Sequence, residues 1–237
     1  MVEASKPVQR SRRPSRAQPR QLSRDEVLDA ALRLVDTHGL EALTMRALAQ
    51  DLGVFPTALY WHAGTKAQLV AAVSARVFDE VILPNEHELG WEDWLAEVAR
   101  RWRAAMHRHP NLAPVIGSQL VVSTTALPFV ERMVGVLERA GFAGDDLVDA
   151  YNGMTGFVVG WVTMELSSEP SDADEGWKGA YAEQLNALSQ NSYPVLTRNM
   201  SLLENNAFMT RYDSGRARPM DRSFAFALDT FLRGLRR

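Results

Sequence analysis

The stretch TMRALAQDLGVFPTALYWHAGTK, residues 44–66, constrains the fold of this chain more than any other. It joins two short helical patterns through a glycine. Thr44 has the side chain of an N-cap, and Leu48, Ala49 and Leu52 fall on one stripe of a first helix. Gly53 can adopt the positive φ that a tight joint between helices requires. Pro56 suits the first turn of a second helix, which the sequence starts near Phe55–Thr57. Tyr60, Trp61 and His62 close that helix on large side chains with polar tips. The spacing predicts a helix-turn-helix, a unit whose second helix enters a DNA major groove. The competing reading is a helical hairpin buried among other helices. It leaves unexplained the small residues Thr57 and Ala58 and the polar cluster beside them.

The flanks complete a small helical head over residues 21–83. Ser23 and Glu26 have capping-box spacing, and Val27, Ala31, Leu34 and Val35 form the apolar stripe of a helix that Gly39 ends. Thr65 caps a further helix with Lys66 in its first turn, and Leu69, Val73 and Val77 share its inner face. Pro84 and the polar run 85–90 mark the boundary. Ahead of the head, residues 1–20 carry Lys6, Arg10, Arg12, Arg13, Arg16 and Arg20 against Glu3, and prolines interrupt any helix. They read as a disordered basic arm, either a phosphate-tracking segment or a solubilising tail.

From Trp91 to the end, every strong pattern has helical period, so the expected fold is all-α, with a larger helical domain over residues 91–237. Trp91, Trp94, Leu95, Val98 and Trp102 make one face of a helix ending near His109–Pro110. Short helical segments cover about 112–121 and 128–140, and a long one runs from Asp145 or Asp146 to about Leu166. Residues 167–176 are an acidic loop. Weaker helices cover about 177–188 and the stretch after Pro194. Residues 204–221, broken by Gly215 and Pro219, read as mobile. The last helix, 223–236, carries Phe224, Leu228, Phe231, Leu232 and Leu235 on one side. Gly153, Gly156 and Gly160 interrupt the long helix at a cost of ~1 kcal/mol each, and Gly156 and Gly160, one turn apart, suggest close packing by another helix.

The ordered set of A-x-x-L-x-x-x-x-G at 31–39, L-T-M-R at 43–46, L-A-x-x-L-G-V at 48–54, L-Y-W-H at 59–62 and Lys66 resembles the N-terminal domain of the tetracycline-repressor (TetR) family. WEDWL, LERAGF at 137–142, YPVL at 193–196 and FAFALDTFLRGL at 224–235 resemble the C-terminal half of the tetracycline-repressor branch. The resemblance implies a homodimeric, ligand-responsive transcriptional regulator, most often a repressor, that binds a pseudo-palindromic operator. It places Arg46, Thr57, Tyr60, His62 and Lys66 at DNA-contacting positions. Arg46 and Lys66 can pair with phosphates, Tyr60 and His62 can donate to the backbone, and Thr57 can meet a base edge. It also puts Trp102, Met133, Phe157 and Trp161 among the residues lining a small-molecule pocket, where aromatics and methionine suit an apolar effector. The long helix and the last helix would pair with their counterparts in a second subunit, unless the last helix closes its own domain.

Metal-chelate recognition is not expected. Ile116 stands where relatives that bind magnesium–tetracycline have a ligating histidine, and Ile82 and Val98 replace their polar drug contacts. His107 and His109, at i and i+2, point apart on a helix. No cofactor is implied. The chain has no cysteine, which excludes disulfides and thiol chemistry and fits a cytoplasmic protein. A net charge of −3 hides a basic front and an acidic remainder, an arrangement suited to a front that meets a polyanion. The basic N-terminus lacks the apolar run of a signal peptide. The uncharged run 150–164 falls short of the ~20 residues a membrane span needs. No paired carboxylates or nucleophile–base set stands at suggestive spacing, since Asp93 and Glu97 read as an exposed acidic face. An enzyme is therefore disfavoured. An architectural DNA-binding protein without an effector is the remaining alternative.

Overall fold

A computed structural model describes residues 22–118, 124–170 and 172–236. The expected basic arm lies outside the described residues. Among those residues the chain is all-α, with eleven α-helices and no strand. The head comprises α1 (Arg24–His38), α2 (Met45–Leu52), α3 (Pro56–Ala63) and α4 (Lys66–Asp79). The body comprises α5 (Trp91–Arg108), α6 (Ala113–Ser118), α7 (Leu127–Arg139), α8 (Asp145–Glu165), α9 (Trp177–Asn186), α10 (Pro194–Leu203) and α11 (Asp221–Leu235).

Local chemistry sets the helix starts in the head. Ser23 and Glu26 form a reciprocal capping box at α1, with bonds of 2.9 and 3.1 Å. Thr44 Oγ1 accepts from Ala47 N at 3.0 Å and starts α2. Thr65 and Gln68 repeat the box at α4. The apolar stripes then meet in one core. Val27, Ala31, Val35, Leu43, Leu48, Leu59, Leu69 and Val73 are fully buried.

In the body, α5 is central. It buries Trp94, Leu95, Val98, Ala99, Trp102, Ala105 and Met106 against neighbours on several sides. Trp94 Nε1 donates to Pro84 O at 3.0 Å and so pins the linker between head and body. At the far end of α5 the body grips the head. The ring of His109 lies 2.8 Å from Asp36 Oδ2 of α1 and 2.7 Å from Glu80 Oε1 beyond α4. Asn111 Nδ2 donates to Asp36 O and to Val35 O, which already accepts from Gly39 N, so it ties the end of α1 to the body.

One sequence expectation needs correction, and two open readings are narrowed within the chain. Residues 204–221 are not loose. Asn205, in the left-handed region at φ 55°, accepts from Tyr212 N at 3.0 Å and Asp213 N at 2.9 Å through its side-chain oxygen. Gly215 N donates to Glu165 O at 2.8 Å. The stripe of the last helix closes its own domain, since Phe224, Leu228 and Leu232 are buried. Within the chain, close packing falls on Gly153, where an added Cβ would lie 3.2 Å from Phe231, whereas Gly156 and Gly160 face open space.

The polar stretch is ordered because Glu165 organises it. This carboxylate is fully buried at the end of α8. Arg103 donates to both of its oxygens at 2.8 and 2.6 Å, and Met220 N donates to Oε1 at 2.7 Å. His107 Nε2 lies 3.2 Å from Oε2. Burial pushes the Glu165 pKa up, but the bonds from Arg103 and Met220, with the His107 ring close by, outweigh it and hold the group down at about 2. Arg103 also reaches Asp221 and stacks over Phe224, so the node joins α5, α8 and α11.

Removing one partner strands the other charge. Arg103→Ala should therefore destabilise the fold by about 3–5 kcal/mol in chemical denaturation. Because the folded Glu165 pKa is depressed, its contribution is complete above the ordinary carboxylate range and disappears as pH falls towards 2. Glu165→Gln should flatten that part of the stability–pH curve.

Candidate nucleic-acid interface

The approach of α3 to its surroundings is set by two glycines. Gly53 sits at φ 66°, ψ 33°, the left-handed region, and Val54 N bonds back to Ala49 O at 3.0 Å. The chain thus reverses and enters α3 through Phe55 and Pro56. At the other end, Gly64 takes φ 65°, ψ −136°. A Cβ there would sit 2.2 Å from Gln68 Oε1, the atom that accepts from Thr65 N in the α4 capping box. Glycine is thus needed both for the backbone and for the cap that follows.

Between these turns α3 is anchored by Leu59 and Ala63, which face the core. The opposite side is open. Thr57 is exposed, Tyr60 is 55% exposed, and His62 is half-buried. Arg46, in the first turn of α2, and Lys66, at the start of α4, are also exposed. The five sequence-predicted residues therefore stand on α2, α3 and the first turn of α4, around one helix-turn-helix. Because Thr65 and Gln68 satisfy each other, the N–H groups of Lys66 and Ala67 remain free to meet an anion at the positive end of α4.

Three further residues belong to the same surface. Trp61 is 90% exposed, so it does not pack, and its indole N–H is available to an acceptor. Arg24 joins Tyr60, Trp61, His62 and Gln68 around a cleft of about 420 Å³. No local signal marked Arg24, which reads in sequence only as the start of a helix. The third is Phe55, 83% exposed immediately before α3. Between Gly53 and Phe78 there is no Asp or Glu, so nothing on α3 opposes a phosphate.

The four residues expected to line a single pocket fall into two clusters. Trp102 and Met133 are buried. Trp102 packs between Phe78 of α4 and Phe129 of α7, with centroids 5.2 and 5.1 Å away. Its indole N–H has no hydrogen-bond partner among the described residues, nor does the buried Ser74 hydroxyl on α4. A cleft of about 320 Å³ lined by Phe78, Val81, Leu83, Phe129 and Arg132 adjoins this cluster. Phe157 and Trp161, one turn apart on α8, turn the other way. They pack on Phe224 of α11, with centroids 5.7 Å away in each case. Their i, i+4 spacing sets the two on one face of α8, and the packing on Phe224 shows which neighbour covers it.

Two family models match the chain. The one described as bacterial regulatory proteins, tetR family, matches residues 27–73, and the one described as tetracyclin repressor-like, C-terminal domain, matches residues 83–237. The chain belongs to the tetR family of bacterial regulatory proteins. An HTH-type transcriptional regulator of Saccharopolyspora erythraea is 32% identical over 190 residues, 80% of this chain and 79% of the relative. The HTH-type transcriptional repressor DrrR1 of Streptomyces coeruleorubidus is 28% identical over 235 residues, 94% of this chain and 81% of the relative. Among solved structures, the TetR-family protein ActR of Streptomyces coelicolor in complex with actinorhodin has a TM-score of 0.71 at 26% identity, covering 91% of this chain and 97% of that one. This tetR-family protein is thus a DNA-binding transcriptional regulator and not an enzyme.

Among the described residues there is no group of three or more His, Cys, Asp or Glu able to hold a metal ion. His107 and His109 do point apart, towards Glu165 and towards Asp36 and Glu80 respectively. No helix among the described residues is long and apolar enough to cross a membrane.

The double demand on Gly64 is directly testable. Gly64→Ala should cost about 1–3 kcal/mol in thermal or chemical denaturation, through strained backbone and a broken capping box. A change within a few tenths of a kcal/mol would show that the turn relaxes freely.

Proposed function

We propose that this tetR-family regulator is a repressor that binds a pseudo-palindromic operator as a homodimer and is released by a small, largely apolar effector. The observation that carries the reading is α3, a short helix held by two positive-φ glycines, open on the face of Thr57 and Tyr60 and flanked by exposed Arg46 and Lys66. Thr57 would reach a base edge, Tyr60 and His62 the sugar–phosphate backbone, and Arg46 and Lys66 the phosphates.

Dimerisation is supported by what α8 and α11 leave uncovered. On α8, Val148, Asn152, Gly156, Gly160 and Met164 form an exposed stripe at four-residue spacing, and on α11 Phe226 is 74% exposed. Two copies related by a two-fold axis would pair these faces as a four-helix seam. Gly156 and Gly160 permit close approach across it. Two heads would then meet successive major grooves, ~34 Å apart.

The effector site is best supported at Trp102 and Met133, beneath the cleft that shares Phe78 and Phe129. A ligand acceptor there would satisfy the unpartnered indole N–H of Trp102; the Trp161 indole N–H is unpartnered too, but among the described residues no comparable cleft adjoins it. Phe157 and Trp161 would support the site through α8 rather than line the same cavity. An effector can bias the regulator only by binding one arrangement of the heads better than the other. The connecting element is α4, whose Phe78 touches Trp102 and whose first turn carries Lys66. The names of DrrR1, a repressor, and of the ActR–actinorhodin complex support this direction.

The test begins with duplexes selected from a random pool by the full-length chain. Tyr60→Ala and Lys66→Ala should fold and dimerise yet bind the selected duplex at least about tenfold more weakly. Lys66→Ala should also lower the slope of log K against log salt by about 0.9. Unchanged affinity in both variants would discard the assignment. For the seam, Gly160→Leu should leave helix content intact, since leucine is the better helix former by about 0.8 kcal/mol. It should nevertheless raise the dimer dissociation constant at least about tenfold in sedimentation equilibrium. Unaltered dimerisation would move the seam elsewhere.

A further inference from the structure

We propose that Phe55 reads thymine through its 5-methyl group, so that specificity at the bases facing the start of α3 is apolar rather than hydrogen-bonded. The inference rests on the operator-binding reading above and adds to it a residue outside the DNA-contact set and a chemical class of base.

Phe55 is locally wrong for its position in two ways. It is the N-cap of α3, at φ −74°, ψ 142°, yet it supplies no side-chain cap. Serine, threonine, aspartate or asparagine would satisfy a free N–H there. It is also 83% exposed and makes no aromatic pair among the described residues. Its side chain is absent from the hydrophobic core and from the half-buried residues packed against that core. The helices on either side behave differently, since Thr44 and Thr65 cap α2 and α4. Residues that break a local rule without a compensating contact concentrate at functional sites.

The neighbours point the same way. Pro56 is exposed and has no N–H, and Ala58 has no polar side-chain atom. In the first turn of α3, Thr57 is the one side chain that can hydrogen-bond to a base. The first residues of a recognition helix are those that meet base edges. Of the four bases, thymine alone shows a methyl group in the major groove. The cytosine amino group or the guanine acceptors, pressed against Phe55 and Pro56, would lose water without gaining a partner. The turn that delivers Phe55 is fixed by the left-handed Gly53 and the bond from Val54 N to Ala49 O, so the ring is presented from a rigid joint. Trp61, 90% exposed, differs because it sits beside Arg24 in the cleft towards α4 and has an N–H to offer a phosphate.

The experiment replaces thymine by deoxyuridine, one position at a time, in the duplex selected by the full-length protein. This deletes the methyl and keeps the base pair. Wild-type affinity should fall about fourfold for each contacted methyl. Phe55→Ser should bind the thymine duplex more weakly and lose nothing further on the uracil duplex. Comparing the two proteins cancels any change in the DNA itself. The same variant should melt at a higher temperature, because serine completes the α3 cap. Stability and affinity then move in opposite directions, which a merely disrupted fold would not do. Equal wild-type affinity for thymine and uracil throughout the half-site would overturn the inference. So would a Phe55→Ser loss that is the same factor on both duplexes. A pool that yields no preferred duplex would overturn the operator-binding reading, and this inference with it.

Discussion

Helix α4 has no free side beyond its first turn. From Leu69 to Phe78 every residue is buried or half-buried. One face closes the core of the head with Leu69 and Val73, and the far end enters the body through Phe78. A helix packed on both sides at interior density cannot slide continuously, because each side offers discrete arrangements of side chains. Whatever changes the packing around Trp102 therefore acts on the element that carries Lys66. The head needs this coupling for its own integrity as well, since α2 and α3 are each only eight residues long. Helices that short are marginal alone and depend on tertiary packing.

Ion pairs reinforce the same junctions, with very different weights. Arg76 on α4 reaches Asp25 and Asp29 of α1 and Asp79 of its own helix at 3.0–3.1 Å. These contacts raise its pKa, led by the hydrogen bond to Asp79, but the carboxylates are largely exposed and water screens them. His109 is only 10% exposed and is held between carboxylates from both ends of the head. Each of its two ring nitrogens faces one of them, which ties α1, α4 and α5 together. Glu165 is the strongest case, a fully buried charge with a bidentate guanidinium. The surface pair of Arg33 and Asp51, at 3.8 Å, adds little.

Most of the head was legible because its signals are local. Ser23 with Glu26, Thr44, Gly53 and Thr65 each act within a few residues, and each plays the part its spacing suggested. The body was legible as helices but not as contacts. Periodicity shows that Phe157 and Trp161 share a face with each other. It cannot show that α11 covers that face while Trp102 turns to α4 and α7. The polar run 204–221 misled for a related reason. Its order comes from Asn205 and from a carboxylate some forty residues earlier in the chain, and no window of sequence contains both. Arg24 was invisible because its relation to Tyr60 exists only after α1 and α3 have packed.

The contrast among the helix starts in the head is the most informative part of the structure. The N-termini of α1, α2 and α4 each have a side-chain cap, two of them reciprocal. The start of α3 has none, and it exposes a phenyl ring instead. Composition cannot explain this, because serine and threonine are plentiful and stand in the cap positions a few residues away. Nor does packing, because nothing among the described residues covers Phe55. A cap would add roughly 1 kcal/mol to a helix that needs it. Stability forgone at one helix start among four, and at the end of the helix best placed to meet base edges, is what a binding surface looks like before its partner arrives.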